Sequence, residues 1–400
     1  MVSMEIKRLI FNELSADLSA RHATILVGAR QVGKTFLLRK LEKEAQKRGL
    51  KTTFFDLEQP ADLIQFNREP QAIIDWLTNS GQVIFIDEFH YLKNASRLFK
   101  AIYDRPKTVK IYASGSSALE IHKHLKESLV GRKLTYRIHP CSFSEIRQVV
   151  ARQTVPYFCQ YGGMPGLIAF PEAEMKMKQL EETIQSYLLK DIKSLVREEN
   201  ITAFNNLLYL LAGRQGSLLS TDGLARDTGQ SSRTIVSYLE ILRQTYVGHP
   251  LTSYSRNYGN ELKKSKKYYL YDLGIRNALL KNFAPFLQRE DQGVLTESFV
   301  FLELVKRLGP ETDLRFWRLK GGPEVDFIWI KNQQPFPIEV KTTCQKGEIP
   351  PGLIAFLNRY PRTSRAYVLS QNIDNQTTLY NGIPVFYKGI EQAAQIPEEV

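Results

Sequence analysis

The chain has 400 residues, 43% hydrophobic and 24% charged, the balance of a globular protein with ample core and length for about two to four domains. Lys and Arg exceed Asp and Glu by 54 to 42, a formal charge of +12 that favours an anionic partner such as nucleic acid. Three cysteines (Cys141, Cys159, Cys344) lack CxxC or histidine spacing, and no apolar run has signal or membrane-spanning length, so a disulfide framework, a zinc site and a membrane partner are excluded and a cytoplasmic protein is expected.

Ile6, Leu9, Ile10, Leu14 and Leu18 recur at helical spacing and predict a helix over residues 5–20. A buried-strand run, Ile25-Leu26-Val27, then enters Gly28-Ala29-Arg30-Gln31-Val32-Gly33-Lys34-Thr35, and a helical pattern continues from Phe36 through Leu41. Strand, G-x-x-x-x-G-K-T loop and helix together are the P-loop in its required context. Gly28 and Gly33 permit backbone conformations in which successive N–H groups turn inward on a phosphate. The helix N-terminus adds a field that favours anions. Lys34 reaches the β- and γ-phosphates and the Thr35 hydroxyl ligates magnesium, so residues 28–36 are the expected site for ATP and Mg2+.

A second strand is predicted over Lys51 to Leu57 and a helix over Pro70 to Thr78. Val83-Ile-Phe-Ile86 ends in Asp87-Glu88, a buried strand that delivers two carboxylates to its C-terminal edge. Asp87 is suited to hold magnesium, and Glu88 to polarise the attacking water. A strand-like run, Val109 to Ser114, leads into Gly115-Ser116-Ser117. Arg132, in Gly131-Arg132-Lys133, offers planar positive charge as an arginine finger, in cis or in a neighbouring copy of a homo-oligomer; a surface or salt-bridging arginine is the alternative.

The Gly- and Pro-rich run Tyr161-Gly-Gly-Met-Pro-Gly166 reads as a hinge or domain seam, with helices following from Glu172 to Val196. Residues 203–248 show three helical segments. Ser220 or Thr221 is an N-cap candidate, and a Gly229-Gln230 turn leads into Ser231 to Tyr246, the spacing of a helix-turn-helix. Downstream, Arg256, Lys263, Lys264, Lys266 and Lys267 interleave with Tyr254, Tyr258, Tyr268 and Tyr269. That composition predicts a basic, aromatic wing able to touch DNA phosphates, a solvated lysine face being the alternative.

Near the end, Glu297 lies in a helix-like segment. Val325-Asp326-Phe-Ile-Trp-Ile330 and Pro337-Ile338-Glu339-Val340-Lys341 read as adjacent strands, with Glu339 and Lys341 on one face and Asp326 directed at the same spot. This arrangement resembles the core of PD-(D/E)XK nucleases. The resemblance implies that Asp326 and Glu339, completed by Glu297, bind a hard divalent ion, and that Lys341 positions the attacking water. No Pro-Asp pair precedes the hairpin acid.

Taken in order, these pieces resemble prokaryotic ATPases in which an AAA-type domain is fused to a C-terminal domain of unknown function with a restriction-endonuclease-like fold. Further matching stretches are Gly-Ser-Ser-Ala, Pro140-Cys-Ser-Phe-Ser-Glu145, Tyr187-Leu-Leu-Lys-Asp-Ile192 and Lys267-Tyr-Tyr-Leu-Tyr-Asp-Leu-Gly274. The resemblance implies a γ-phosphate sensor at the end of the Val109–Ser114 strand, for which Ser116 is the candidate and a plain serine turn the alternative. The expected class is α/β multidomain: an ATPase domain over 1–150, a helical lid over 151–200, a winged helix over 201–275 and a nuclease-like domain over 276–400. The leading expectation is an ATP-hydrolysing, DNA-associated protein. A nucleotide-gated switch that recruits a protein partner is the second reading, and a small-molecule kinase, for which no acceptor lid is evident, the third.

Overall fold

A computed structural model describes the chain except residues 1–4, 93, 107–108, 116–128, 151, 187–200, 256–264, 346 and 374. Ser116, the Tyr187–Ile192 stretch, and Arg256, Tyr258, Lys263 and Lys264 of the expected wing lie outside the described residues. Backbone contacts divide the chain into two compact units. One comprises Met1–Cys141, Met164–Ala169 and Ile241–Val247; the other comprises Ser142–Gly163, Phe170–Glu240 and Gly248–Val400.

The first unit is built on a parallel five-stranded sheet in the order β2–β3–β4–β1–β5. Its strands are β1 (Ala23–Val27), β2 (Thr52–Asp56), β3 (Val83–Asp87), β4 (Lys110–Gly115) and β5 (Lys133–Arg137). Every residue of β1, β3 and β4 is buried, as continuous apolar runs require when helices cover both faces of a parallel sheet. The edge strands β2 and β5 carry the partly exposed positions. Ile25, Val27, Ile84, Ile86, Ile111 and Ala113 pack with Leu77, Phe99 and Ile102 from two helices that follow β2 and β3, Pro70–Ser80 and Ala95–Tyr103. Because all five strands run one way, β1, β3 and β4 end at the same edge. The expected helix over 5–20 is shorter: α1 spans Phe11–Ala16 and runs on as a 3-10 turn over Asp17–Ser19, while residues 5–8 have no regular structure and Arg8 is tied to backbone carbonyls.

In the second unit, α2 (Ile201–Gly213) and α3 (Thr221–Thr228) accompany a small antiparallel sheet, β6–β8–β7, and the helix Ser232–Gln244 begins in this unit and ends in the first. These strands are β6 (Leu218–Leu219), β7 (Gly248–Leu251) and β8 (Lys266–Leu270). Ser220 caps α3 by accepting from the Gly223 amide, and Gly229 ends it with φ 67°. The basic aromatic stretch departs from expectation. Lys267, Tyr268 and Tyr269 are buried because β8 is the central strand of its sheet, and Tyr254 is buried against Phe356 and Tyr360.

A six-stranded mixed sheet, in the order β13–β14–β12–β11–β10–β9, completes this unit. It consists of β9 (Thr312–Arg318), β10 (Glu324–Lys331), β11 (Gln334–Lys341), β12 (Ala366–Ser370), β13 (Gln376–Tyr380) and β14 (Ile383–Gly389). The helix α4 (Gln292–Val305) lays Phe301 between Tyr269 and Phe327, and α5 (Pro351–Arg359) packs Leu353, Phe356 and Leu357 with Val325, Ile328 and Val368. One of the points where the chain passes between the two units falls between Gly163 and Met164, inside the Gly-Pro run. On its near side the backbone is locked. A Cβ at Gly162 would sit 2.1 Å from the Asp272 carboxylate, and one at Gly274 would sit 2.1 Å from the Tyr161 carbonyl. Asp272 accepts from the amides of Gly163 (2.7 Å) and Ile275 (3.1 Å). Among the described residues, no helix is long and apolar enough to cross a membrane.

Candidate functional site

The loop after β1 is shaped by backbone that only certain residues tolerate. Gly28 has φ 156°, and a Cβ there would lie 2.2 Å from the Ile138 carbonyl, so the position demands glycine. Gln31 (φ 62°) and Gly33 (φ 93°) reverse the chain again, and Gly33 caps the helix Lys34–Lys47. These left-handed turns before a helix N-terminus are the backbone that an anion cradle of main-chain amides requires. Lys34 is 5% exposed, and its ammonium donates to the carbonyls of Gly28 (3.0 Å) and Ala29 (2.9 Å). Burial pushes its pKa below the usual lysine value, partly offset by the charges of Glu88 and Asp87.

The carboxylates arrive where the topology places them. Asp87, at the end of β3, accepts from the Thr35 hydroxyl and from Ser114 Oγ of the neighbouring β4. Burial raises its pKa, and these two donors oppose the shift. Glu88 turns out of the strand in a left-handed conformation (φ 49°), with its Oε2 3.1 Å from His90 Nδ1. Thr35 and Asp87 supply hard oxygen donors of the kind magnesium takes together with phosphate oxygens and water, so the residues fit that ion. Arg30 and Glu58 lie 3.7 Å apart at the loop's rim.

Two residues that the sequence reading did not single out belong here. Ser114 Oγ donates to the Asp87 carboxylate. Arg8 donates to the Val32 carbonyl of the loop (2.8 Å) and to the His139 carbonyl (2.7 Å), fastening the N-terminal segment to the cradle. A strand-end serine could have been read from the β4 pattern; nothing in the pattern distinguishes Arg8 among 54 basic residues. Arg132 is a correction. Its carbonyl accepts from the Ala23 amide, so it stands where β1 begins, a full strand length from the loop where β1 ends, and its side chain pairs with Asp104 at 2.9 Å. It does not face the cradle of its own chain.

Residues 20–147 match the family model of an AAA domain. An AAA-type P-loop domain occupies this part of the chain. Residues 152–285 and 292–387 match two domains of unknown function (DUF8612 and DUF4143). An uncharacterized protein of Mycobacterium tuberculosis is 26% identical over 322 residues, covering 80% of this chain and 70% of that one. An uncharacterized protein of Methanocaldococcus jannaschii is 23% identical over 365 residues, covering 86% and 80%. Among solved structures, AMPPCP-bound DnaA from Aquifex aeolicus aligns at 17% identity with a TM-score of 0.32, covering 58% of this chain and 86% of that one.

Outside the AAA domain, the expected nuclease residues do converge. Glu297 comes from α4, Asp326 from β10, and Glu339 and Lys341 from one face of β11. What they surround differs from expectation. Lys267, from β8, places its ammonium 3.1 Å from Glu297 Oε1, 2.5 Å from Glu324 Oε1 and 4.0 Å from Asp326 Oδ1. Tyr269 also donates to Glu297 Oε1 (2.5 Å), the Val340 amide donates to Asp326 Oδ2 (2.9 Å), and Lys341 donates to Glu339 Oε1 (2.7 Å). Burial, then repulsion from Asp326, raises Glu297 to about 7 and Glu339 to about 8. Burial works against the Lys267 charge, but Glu297, Asp326 and Glu324 hold its pKa above the usual value.

Among the described residues, no group of three or more His, Cys, Asp and Glu side chains is disposed to hold a metal ion. The carboxylates expected to hold a divalent ion meet lysines instead: Lys267 at Glu297, with Asp326 at 4.0 Å, and Lys341 at Glu339. Glu324 escaped the sequence reading, and Lys267, expected in a phosphate-touching wing, is buried here instead. Lys267 lies 59 residues before Asp326 in a run that reads as a basic surface.

Proposed function

We propose that this chain binds ATP with magnesium and hydrolyses it. The observation that carries this reading is the loop itself: left-handed turns at Gln31 and Gly33 before a helix N-terminus, a buried ammonium bonded to neutral carbonyls, and Thr35, Asp87 and Ser114 joined at one sheet edge. Lys34 and the loop amides hold the β- and γ-phosphates. Thr35 and Asp87 hold the magnesium, which supplies charge neutralisation at the transferring phosphoryl group, and Glu88 orients and polarises the attacking water. The test is phosphate release by wild type, Lys34→Ala and Glu88→Gln. Persistence of hydrolysis in both variants removes the cradle from the mechanism.

DNA association is the second part of the proposal. The three helices and small sheet of residues 201–275 have the order of a winged helix, and Arg226 and Arg233 are exposed on the two helices of the turn. Retention on duplex DNA that falls steeply with salt supports it; salt-independent or absent retention favours a nucleotide-gated switch with a protein partner. In either case we read the C-terminal sheet as a restriction-endonuclease-like scaffold that binds rather than cuts, since its acidic residues are engaged by lysines.

A further inference from the structure

We propose that the acidic pocket of the C-terminal sheet is a cation site whose resident cation is the chain's own Lys267, and that the pocket takes a divalent metal ion only when that ammonium is removed.

Three observations converge on it. Lys267 is 2% exposed and approaches three carboxylates from two elements: Glu297 on α4, and Glu324 and Asp326 on β10. A buried ammonium ringed in this way is the internal counterpart of a metal ion, since desolvated carboxylates need a compensating charge. The site also holds unused ligand capacity. Glu339 is 4% exposed, and its Oε2 is buried without a hydrogen-bond partner, while Oε1 takes Lys341. Asp326 links the two sides: its Oδ1 lies 4.0 Å from the Lys267 ammonium, and its Oδ2 accepts from the amide of Val340, the neighbour of Glu339. Finally, cation and carboxylates come from segments that match different families. Lys267 lies within residues 152–285, and the carboxylates lie within 292–387. The ammonium thereby joins the small sheet to the large one, and a divalent ion arriving beside it would meet like-charge repulsion at close range in a desolvated pocket.

The test is manganese binding to the full-length, nucleotide-free chain, followed by the EPR signal of free Mn2+ for wild type, Asp326→Asn, Lys267→Met and Lys267→Met/Asp326→Asn. The expected result is that wild type and Asp326→Asn titrate alike. Lys267→Met gains one site at least ten-fold tighter than any in wild type, and the double variant loses it again. Thermal melting provides a second reading: Lys267→Met melts lower than wild type, and Mn2+ restores part of the loss only while Asp326 is present. If Lys267→Met does not fold, Lys267→Met/Glu297→Gln removes one negative charge with the positive one, and the same gain is expected through Asp326 and Glu339. A stoichiometric Mn2+ site in wild type that Asp326→Asn abolishes would overturn the proposal. So would a folded Lys267 variant that gains no site.

Discussion

Two lysines, Lys34 and Lys267, are almost fully buried near carboxylates, and their charges are shifted in opposite directions. Lys34 is bonded to two main-chain carbonyls, which take up two of its three hydrogens without neutralising it, and burial lowers its pKa. Lys267 sits within ion-pair distance of Glu297 and Glu324, with Asp326 at 4.0 Å, and its pKa is raised. A buried ammonium left short of negative charge gains by meeting a phosphate. One already compensated gains nothing from a further anion, and it excludes a further cation. The same side chain therefore makes an open site in the AAA domain and a closed one in the C-terminal sheet.

The sharpest way to break this contrast is Lys34→Ala, for which hydrolysis should fall about a hundred-fold or more, as when a preorganised charge at the transition state is lost. Lys267→Met, by contrast, should leave ATP affinity within about two-fold of wild type by calorimetry, a change of about 0.4 kcal/mol. Glu88→Gln should lower turnover about a hundred-fold, the low end for a positioned base, while ATP affinity changes little. Equal losses in affinity and turnover would instead assign Glu88 to ground-state binding.

A structural counterpart is Asp291. Burial opposes its ionisation, but hydrogen bonds from Arg289 (2.7 Å) and Arg276 (2.8 Å) hold its carboxyl down at about 2. The folded pKa lies below the ordinary aspartate value, so this stability is fully present above about pH 4 and is lost as pH falls through about 2. Asp291→Asn strands two buried arginines and should cost about 3–5 kcal/mol in urea unfolding near neutral pH, with less acid dependence between pH 4 and 2. Ser114→Ala should lower turnover by about ten-fold, through loss of one hydrogen bond to Asp87 worth about 1.4 kcal/mol. Arg132→Ala should leave the hydrolysis rate per chain within about two-fold at low protein concentration; a large loss confined to high protein concentration would place the arginine in a neighbouring copy's site.

Within the AAA domain much was legible in advance, because the signals are local. The strands ending at Val27 and Asp87, the loop between Gly28 and Thr35, and the helix opening at Lys34 follow from contiguous residues whose backbone needs are their own. The Ser220 cap and the Gly229 turn were legible for the same reason. Arg132 was not, because reading Gly-Arg-Lys in isolation does not reveal at which end of β5 the arginine stands; parallel pairing with β1 decides that.

What the sequence determined alone is the nucleotide cradle, since eight consecutive residues carry both its backbone conformations and its charge. It also brought Asp326, Glu339 and Lys341 to adjacent strand positions, because strand alternation and a short turn place them there. Only the tertiary structure decided what those carboxylates face. Which side of β8 points inward depends on how that strand pairs with β6 and β7 and how Tyr269 stacks on Phe301, and that choice sends Lys267 into the pocket. A one-residue shift of a strand exchanges its faces, so no reading of the lysine run by itself could tell a solvated charge from a buried one.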